Sequence, residues 1–452
     1  MIVLKFGGTS VQDASAIDRA AAITRSRARR SPVVVVSALA GTTNALLAIA
    51  EQASRGQLIV ALSGIEELRS RHLRECDALL GTAAARDTGA ELSAMCDEIA
   101  HLAEALSVLG DLTPRSLDAI AAQGELLSST LVHAAFRERE LAVELIDART
   151  VIATDDRFTR AAPRVDDIAR QARDVVLPIV RESRIPLLGG FIGRSPGGVT
   201  TTIGRGGGDF TAALLGAALG AEAIEIWTDV DGMLSADPRV VRGARLIEEI
   251  RFDEAAELAA FGAKVLHPST IAPAVQRGIP VFVLNARRPE GKGTRITAEA
   301  PRRAVTAIAG KAGVSIVKVR TPRMLFATGV VRTIFEVFER HRTAVDVVAT
   351  SEVSVSVTTD DATHLDEILV ELRALGDVAL ERSRAIVAIV GAGLGDGATT
   401  MARALAALGG TAVHMISLSA TGINLTLVVD AAALEPAMRA LHAEFFGAEK
   451  PA

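Results

Sequence analysis

Ile2 to Phe6 and Pro32 to Val36 are short, almost unbroken apolar runs with helical spacing between them. Runs of that length without alternation read as strands buried on both faces of a parallel sheet. Similar runs stand at Val143 to Ile146, Ile185 to Leu188, Ala223 to Trp227 and Pro280 to Ala286. Helical patterns fill the intervals: one through Arg29, a charged-faced pair over residues 62–108, one from Thr113, and one over 165–181. Thr9 and Ser10 can cap the first helix, and Thr113 with Pro114 supplies an N-cap and a first helical residue. Strands alternating with helices predict a mostly parallel sheet covered on both faces. In such sheets ligands sit beyond the C-terminal strand ends.

From about residue 303 the texture changes to short alternating strands and shorter helices. The segments from Ala344 and from Ala412 repeat one order, strand, turn, strand, helix, at a spacing of roughly 70 residues. A helix precedes each copy, at about Thr328 to His341 and about Thr399 to Leu408. Two copies of a small α+β unit suit a sensor, and equally a dimerisation module, since pairing buries more sheet.

Composition narrows the classes. A chain of 452 residues, 49% hydrophobic, holds two or three domains with ample cores. The net charge of -5, with no long run of like charge, argues against a nucleic-acid surface. Arg25, Arg27, Arg29 and Arg30 close the first helix, where cations suit the dipole. The opening residues are too short for a signal peptide and no long apolar stretch follows, so a cytoplasmic protein without a membrane span is expected. Cys76 and Cys96 sit in helical patterns and the eight histidines show no ligand spacing; no metal site of the chain's own is expected.

The candidate chemistry gathers in the Gly189 to Arg239 stretch. Gly204, Arg205, Gly206, Gly207, Gly208 and Asp209 stand directly before an alanine- and leucine-rich helix. Bare backbone N–H groups at a helix start stabilise an anion, which makes this a phosphate or carboxylate site. The order fits neither a P-loop nor a dinucleotide fold. Asp209 is a helix N-cap, a catalytic carboxylate, or both. Lys5, beside Gly7 and Gly8, suits a phosphoryl group or is a solvated strand-end lysine. Glu125 has apolar neighbours on several sides and is either paired or an exposed helix carboxylate. Lys5, the Ser37 to Asn44 turn, the glycine loop and the Thr228 to Gly232 turn all follow strand ends and can converge on one crevice.

The motifs KFGGTS at the start, Gly124-Glu125, TTTIGRGGGD, WTDVDG followed by DPR, FGAKVLHP, and SEVS in the first repeat occur in this order over nearly the whole chain. Together they resemble the aspartate kinases of the amino-acid-kinase family, most closely the lysine-sensitive monofunctional type. The resemblance implies an α/β amino-acid-kinase fold over residues 1–298. Two ferredoxin-like ACT domains would follow, the first region at 299–380 with a strand contributed to the second at 381–452, the first inserted within the second. It implies a homodimer through the ACT domains, with a tetramer open, and a length without a fused homoserine dehydrogenase. The implied reaction converts ATP and L-aspartate to ADP and 4-phospho-L-aspartate, the first step toward lysine, threonine, methionine and diaminopimelate, with Mg²⁺ arriving on ATP.

By the same resemblance, Lys5 neutralises the transferring phosphoryl group with the Gly7, Gly8 and Ser10 amides, and Asp209 organises those donors. Arg205 grips a substrate carboxylate and Glu125 pairs the α-ammonium; Thr43, Phe191, Thr202 and Gly208 are further substrate-side positions. Thr228, Asp229, Arg239 and Lys264 are nucleotide-side positions. Met324, Val345, Asp346, Thr350, Ser351 and Glu352 form an effector pocket, for lysine or for threonine. Gly208 departs from the Ser common in relatives, Leu234 from a Tyr near the adenine, and Phe326 and Ala327 from polar residues of the lysine pocket. Two other readings stay open: a kinase of another acyl substrate such as glutamate or N-acetylglutamate, and a catalytically silent amino-acid sensor.

Overall fold

A computed structural model describes residues 1–204, 206–261, 268–325 and 328–447. Two units form, one of Met1–Met233 with Val265–Ala298, the other of Leu234–Lys264 with Glu299–Ala452. In the first unit the strands lie in the order Val143–Ile146, Ile185–Gly189, Pro32–Val36, Ile2–Phe6, Ala223–Thr228, Val281–Asn285, Thr294–Ile296. All pair in parallel except the last, which is antiparallel to its neighbour. Every residue of Ile2–Phe6 and Pro32–Val36 is buried, as central parallel strands covered on both faces require.

Side chains alternate between the two faces of a strand. Ile2, Leu4, Phe6, Val34 and Val36 share one core with residues of the helices Ala14–Ser26, Leu58–Leu79, Thr82–Leu109 and Gln123–Glu138. The opposite face, which carries Val3, Lys5 and Val35, packs against the helix Gly207–Leu219. That register puts the ammonium of Lys5 on the side of the glycine loop. The expected 62–108 pair is Leu58–Leu79 with Thr82–Leu109, and its Ile65, Leu68, Cys76, Leu92, Cys96 and Ile99 extend this same core. It is a structural cover for one face of the sheet.

One helix start differs from expectation. Asp13, rather than Thr9 or Ser10, caps Ala14–Ser26, its carboxylate accepting the Ala16 N–H at 2.8 Å. Gly8–Ser10 form a separate 3-10 turn, and the buried Ser10 hydroxyl donates to the Trp227 carbonyl at 3.0 Å. Ser10 is spent on the neighbouring strand. Thr113 does cap Pro114–Ala121, accepting the Ser116 N–H with Pro114 at the first turn.

The second unit holds an antiparallel sheet in the order Val348–Thr350, Ser354–Thr359, Ala307–Arg320, Asp377–Val390, Asn424–Asp430, Val413–Leu418. Its two long central strands run through both halves of the sheet. Ser315 to Arg320 pair with the first repeat and Arg384 to Val390 with the second, and register shifts between Lys311 and Ile316 divide the halves. The first repeat is thereby inserted between strands that also build the second. Each half has its own core, one around Val317, Ile334, Phe338 and Ile368, the other around Val387, Ile389, Leu427 and Leu441. Part of the 234–264 segment is tied into this unit by Glu254, which is 0% exposed and accepts from the Thr306 hydroxyl at 2.6 Å and the Ala392 N–H at 2.9 Å. Among the described residues no helix is long and apolar enough to cross a membrane.

Candidate active site

A cavity of about 320 Å³ opens in the first unit at the C-terminal ends of the strands. Its walls are Lys5 and Gly8, the turn Ser37 to Gly41 with Thr43 and Asn44, Glu125, Phe191, and the loop residues Gly204 and Gly206 to Asp209. Three of the four segments expected to converge therefore do so. The Thr228 to Gly232 turn is not among the lining residues, although Thr228 directly follows Trp227, the partner of Phe6 in the sheet. Thr228 is half-buried, Asp229 is exposed, and their side chains meet at 3.3 Å. Arg239 belongs to the second unit, where it grips Asp237 at 2.6 Å and is largely exposed. Arg205 and Lys264, expected for substrate and nucleotide, lie outside the described residues.

Lys5 and Asp209 face each other, Nζ to Oδ1 at 2.7 Å, with their side chains only 11% and 12% exposed. The N-cap of Gly207–Leu219 is Gly206, at φ 75°, so Asp209 stands inside the first turn and not at the cap. Its carboxylate goes to Lys5, and its place near the helix start also suits the dipole. Glycines bring the walls together. A Cβ at Gly190 would lie 2.7 Å from the Gly208 Cα, and one at Gly207 would lie 2.6 Å from the Phe191 ring. A side chain at Gly208 would meet Ser37 Oγ at 3.0 Å and Lys5 Cε at 3.1 Å, so a Ser there requires both to give way slightly.

The phosphate cradle is narrower than KFGGTS suggested. The Gly7 N–H donates to the Trp227 carbonyl at 3.1 Å and the Ser10 N–H to the Gly7 carbonyl at 2.8 Å. Both amides are committed, that of Gly7 to the neighbouring strand and that of Ser10 within the turn, which leaves Gly8 and Lys5 on the cavity wall. Thr202 likewise turns inward: it is 2% exposed and its hydroxyl donates to Asp118 at 2.6 Å.

Glu125 is the electrostatic centre of the opposite wall. Gly124 lets the turn after Pro32–Val36 pack on the helix, since a Cβ there would lie 3.0 Å from the Ala38 Cβ. The turn presents the Ala38 N–H to Glu125 Oε1 at 3.3 Å, while Oε2 is buried without a partner. Burial pushes the Glu125 carboxyl up to about 8, against the pull of the Ala38 N–H and the positive charge of Lys5. The Glu125 carboxyl is therefore held toward its protonated form, and a further cation brought against it would favour the ionised one.

The model of the amino acid kinase family matches residues 1–285, and that of the ACT domain residues 387–445. Lysine-sensitive aspartokinase 3 of Escherichia coli is 37% identical, with 99% of this chain and 99% of that protein covered. The chain belongs to the aspartokinases of the amino acid kinase family. Aspartokinase 1 of Arabidopsis thaliana is 34% identical over 98% of this chain and 80% of its own length. The structure of E. coli aspartokinase III with aspartate and ADP matches at a TM-score of 0.85, covering 99% of this chain and all of that one. The same protein with lysine and aspartate matches at 0.84, covering 99% of each chain. In the aspartokinase frame the signal for Glu125 was its apolar setting. Asp118, absent from every motif, went unseen because its partners Thr159 and Thr202 are distant in sequence.

Proposed function

We propose that the chain transfers the γ-phosphoryl group of ATP to the β-carboxylate of L-aspartate, giving ADP and 4-phospho-L-aspartate. The observation that carries this reading is the unpartnered Glu125 Oε2 in the same cavity as the Lys5–Asp209 pair. One wall asks for an ammonium and the other offers a cation to phosphate. The β-carboxylate is already ionised at neutral pH, so no strong base is needed, and the work is positioning and charge stabilisation. Lys5 neutralises the transferring group while Asp209 holds its ammonium in place; Thr43, Phe191 and Gly208 shape the aspartate side, and Arg205 takes a substrate carboxylate through two N–H donors. The nucleotide lies toward Gly8, Thr228 and Asp229. Mg²⁺ arrives on ATP, whose phosphates and waters suffice to hold it. The donor set fits that route, because Asp209 is already taken by Lys5.

A substrate with an acylated amine fits worse: Glu125 would then stay a buried acid with no ammonium to meet, at a cost of several kcal/mol if ionised. A silent sensor leaves the Lys5–Asp209 pair without a task. ADP release that depends on L-aspartate and is absent with N-acetylaspartate supports the kinase; release with neither amino acid supports the sensor.

The second unit is proposed to bind an amino-acid effector, L-lysine first, and to form a homodimer, itself open to pairing as a tetramer, in the cytoplasm. Thr350, Ser351 and Glu352 are exposed at one sheet edge, and Met324 and Val345 pack beside the first-half core. Asp346, one of the expected pocket residues, already holds Lys311 at 2.8 and 2.9 Å, with Asp360 on the same ammonium at 2.8 Å. Glu352 is then the acid that an incoming ammonium meets without displacing an internal cation. Phe326 and Ala327 lie outside the described residues. Glu352→Ala is expected to raise the half-inhibiting lysine concentration by about 5- to 150-fold, the usual range of allosteric coupling, with uninhibited turnover unchanged. An inhibition curve that overlays the parent's removes Glu352 from the pocket.

A further inference from the structure

One buried acid near the cavity has no part in the chemistry above. Asp118 lies on the helix Pro114–Ala121 and is 1% exposed. Its Oδ2 accepts the N–H groups of Thr159 and Thr202, each at 2.9 Å, and its Oδ1 accepts the Thr202 hydroxyl at 2.6 Å. The two threonines lie 43 positions apart in the sequence and are joined again by the Ala161 N–H donating to the Thr202 carbonyl at 2.9 Å.

What this acid holds is strained. Thr159 has φ 70°, a left-handed backbone that a β-branched residue adopts only where its surroundings enforce it. The Thr159 carbonyl sits against Gly204, where a Cβ would lie 3.5 Å from it. Gly204 is two residues past Thr202, has φ 79°, and lines the cavity. A second strained residue mirrors it: Phe191, at φ 65°, has its N–H held by the Thr211 hydroxyl at 3.1 Å. The Ile203 N–H donates to the Phe191 carbonyl at 3.0 Å, which links both strained points to the start of the glycine loop.

We propose that Asp118 is a positioning residue that fixes the aspartate-binding end of the glycine loop by clamping Thr159 and Thr202. The proposal rests on the aspartate kinase reading for its substrate, but not for its geometry. Asp118 is not among the described residues that line the cavity, so its effect on catalysis passes through Gly204 and the loop beyond. Loss of the acceptor frees Thr159 to relax to negative φ and unseats Gly204, on the side of the cavity that receives the amino acid.

The test compares Asp118→Ala and Asp118→Asn with the parent in steady-state kinetics and in amide hydrogen exchange of the intact chain. Asp118→Ala removes all three acceptor contacts and is expected to raise KM for aspartate by roughly 10- to 100-fold, the scale of a small misplacement, with KM for ATP nearly unchanged. Exchange at Thr159 and across Thr202 to Gly204 should accelerate by at least about tenfold. Asp118→Asn, whose amide oxygen can still accept both N–H groups, should restore KM to within about threefold. A purely structural role would move both KM values together, or neither, and would not be rescued by the amide; either result overturns the proposal. If Asp118→Ala does not fold, Thr202→Val decides by the same measurements, since it removes the hydroxyl contact alone. Should the parent fail to use aspartate, the substrate reading falls, while exchange still judges the clamp: unchanged protection in Asp118→Ala overturns it.

Discussion

Lys5→Ala is expected to lower kcat by about 10²- to 10³-fold, the scale seen when one preorganised transition-state donor is removed. The reason lies in where the charge is kept. Lys5 reaches the cavity because odd positions of Ile2–Phe6 face the glycine-loop helix, and there its ammonium is buried against Asp209 at 2.7 Å. Removing it deletes the cation and leaves the Asp209 carboxylate pointing at an incoming phosphate. The variant thus carries both a lost attraction and an exposed repulsion. The two residues should act as one unit: Asp209→Ala also slows turnover, and the double variant should cost much less than the product of the single losses. Steady-state kcat for the three variants at saturating substrates checks this. A Lys5→Ala kcat within about threefold of the parent would remove Lys5 from the reaction.

The second large effect concerns Glu125 and pH. Its carboxyl, normally near 4.5, is pushed up to about 8, first by burial. Aspartate brings an ammonium, which favours the ionised form, so binding at neutral pH should release close to one proton. The sign follows: affinity for aspartate strengthens as pH rises toward about 8, by up to tenfold per unit, and levels off above it. Glu125→Gln keeps the shape, loses the charge, and should raise KM for aspartate by about 10- to 100-fold with this slope abolished. Stability moves the other way. Because the folded pKa lies above the unfolded one, the folded chain without added aspartate binds more protons between about 4.5 and about 8. Its stability falls as pH rises through that window, and Glu125→Gln should flatten that part of the profile. A parent KM for aspartate that does not change between pH 6 and 8 would mean that Glu125 meets no ammonium.

Much of the sheet was readable from composition of short runs, because a strand covered on both faces admits little but apolar residues. PVVVV and IVLKF needed no further context. The insertion of one repeat into the other was harder, since it depends on two long strands whose halves pair with different partners, and no local pattern records a register shift near Lys311. At the site, Lys5 stood out beside two glycines at a strand end, and Glu125 as an acid among apolar neighbours. Polar residues were harder to place wherever a nonlocal bond competed for the same group. Ser10, expected to cap a helix, is bonded to Trp227, whereas Asp209, open to both a cap and a catalytic carboxylate, pairs with Lys5. Asp346, expected in the effector pocket, holds Lys311. Asp118 left no trace at all, because an acid on a short helix looks solvated until two distant threonines are seen to converge on it.

ATP-dependent formation of aspartyl hydroxamate, in which hydroxylamine traps the acyl phosphate, tests the central claim most directly. Hydroxamate is expected from L-aspartate at a rate matching ADP release, and none from N-acetylaspartate, whose blocked amine gives Glu125 no partner. Hydroxamate formed equally well from both, or from neither while glutamate reacts, would contradict it.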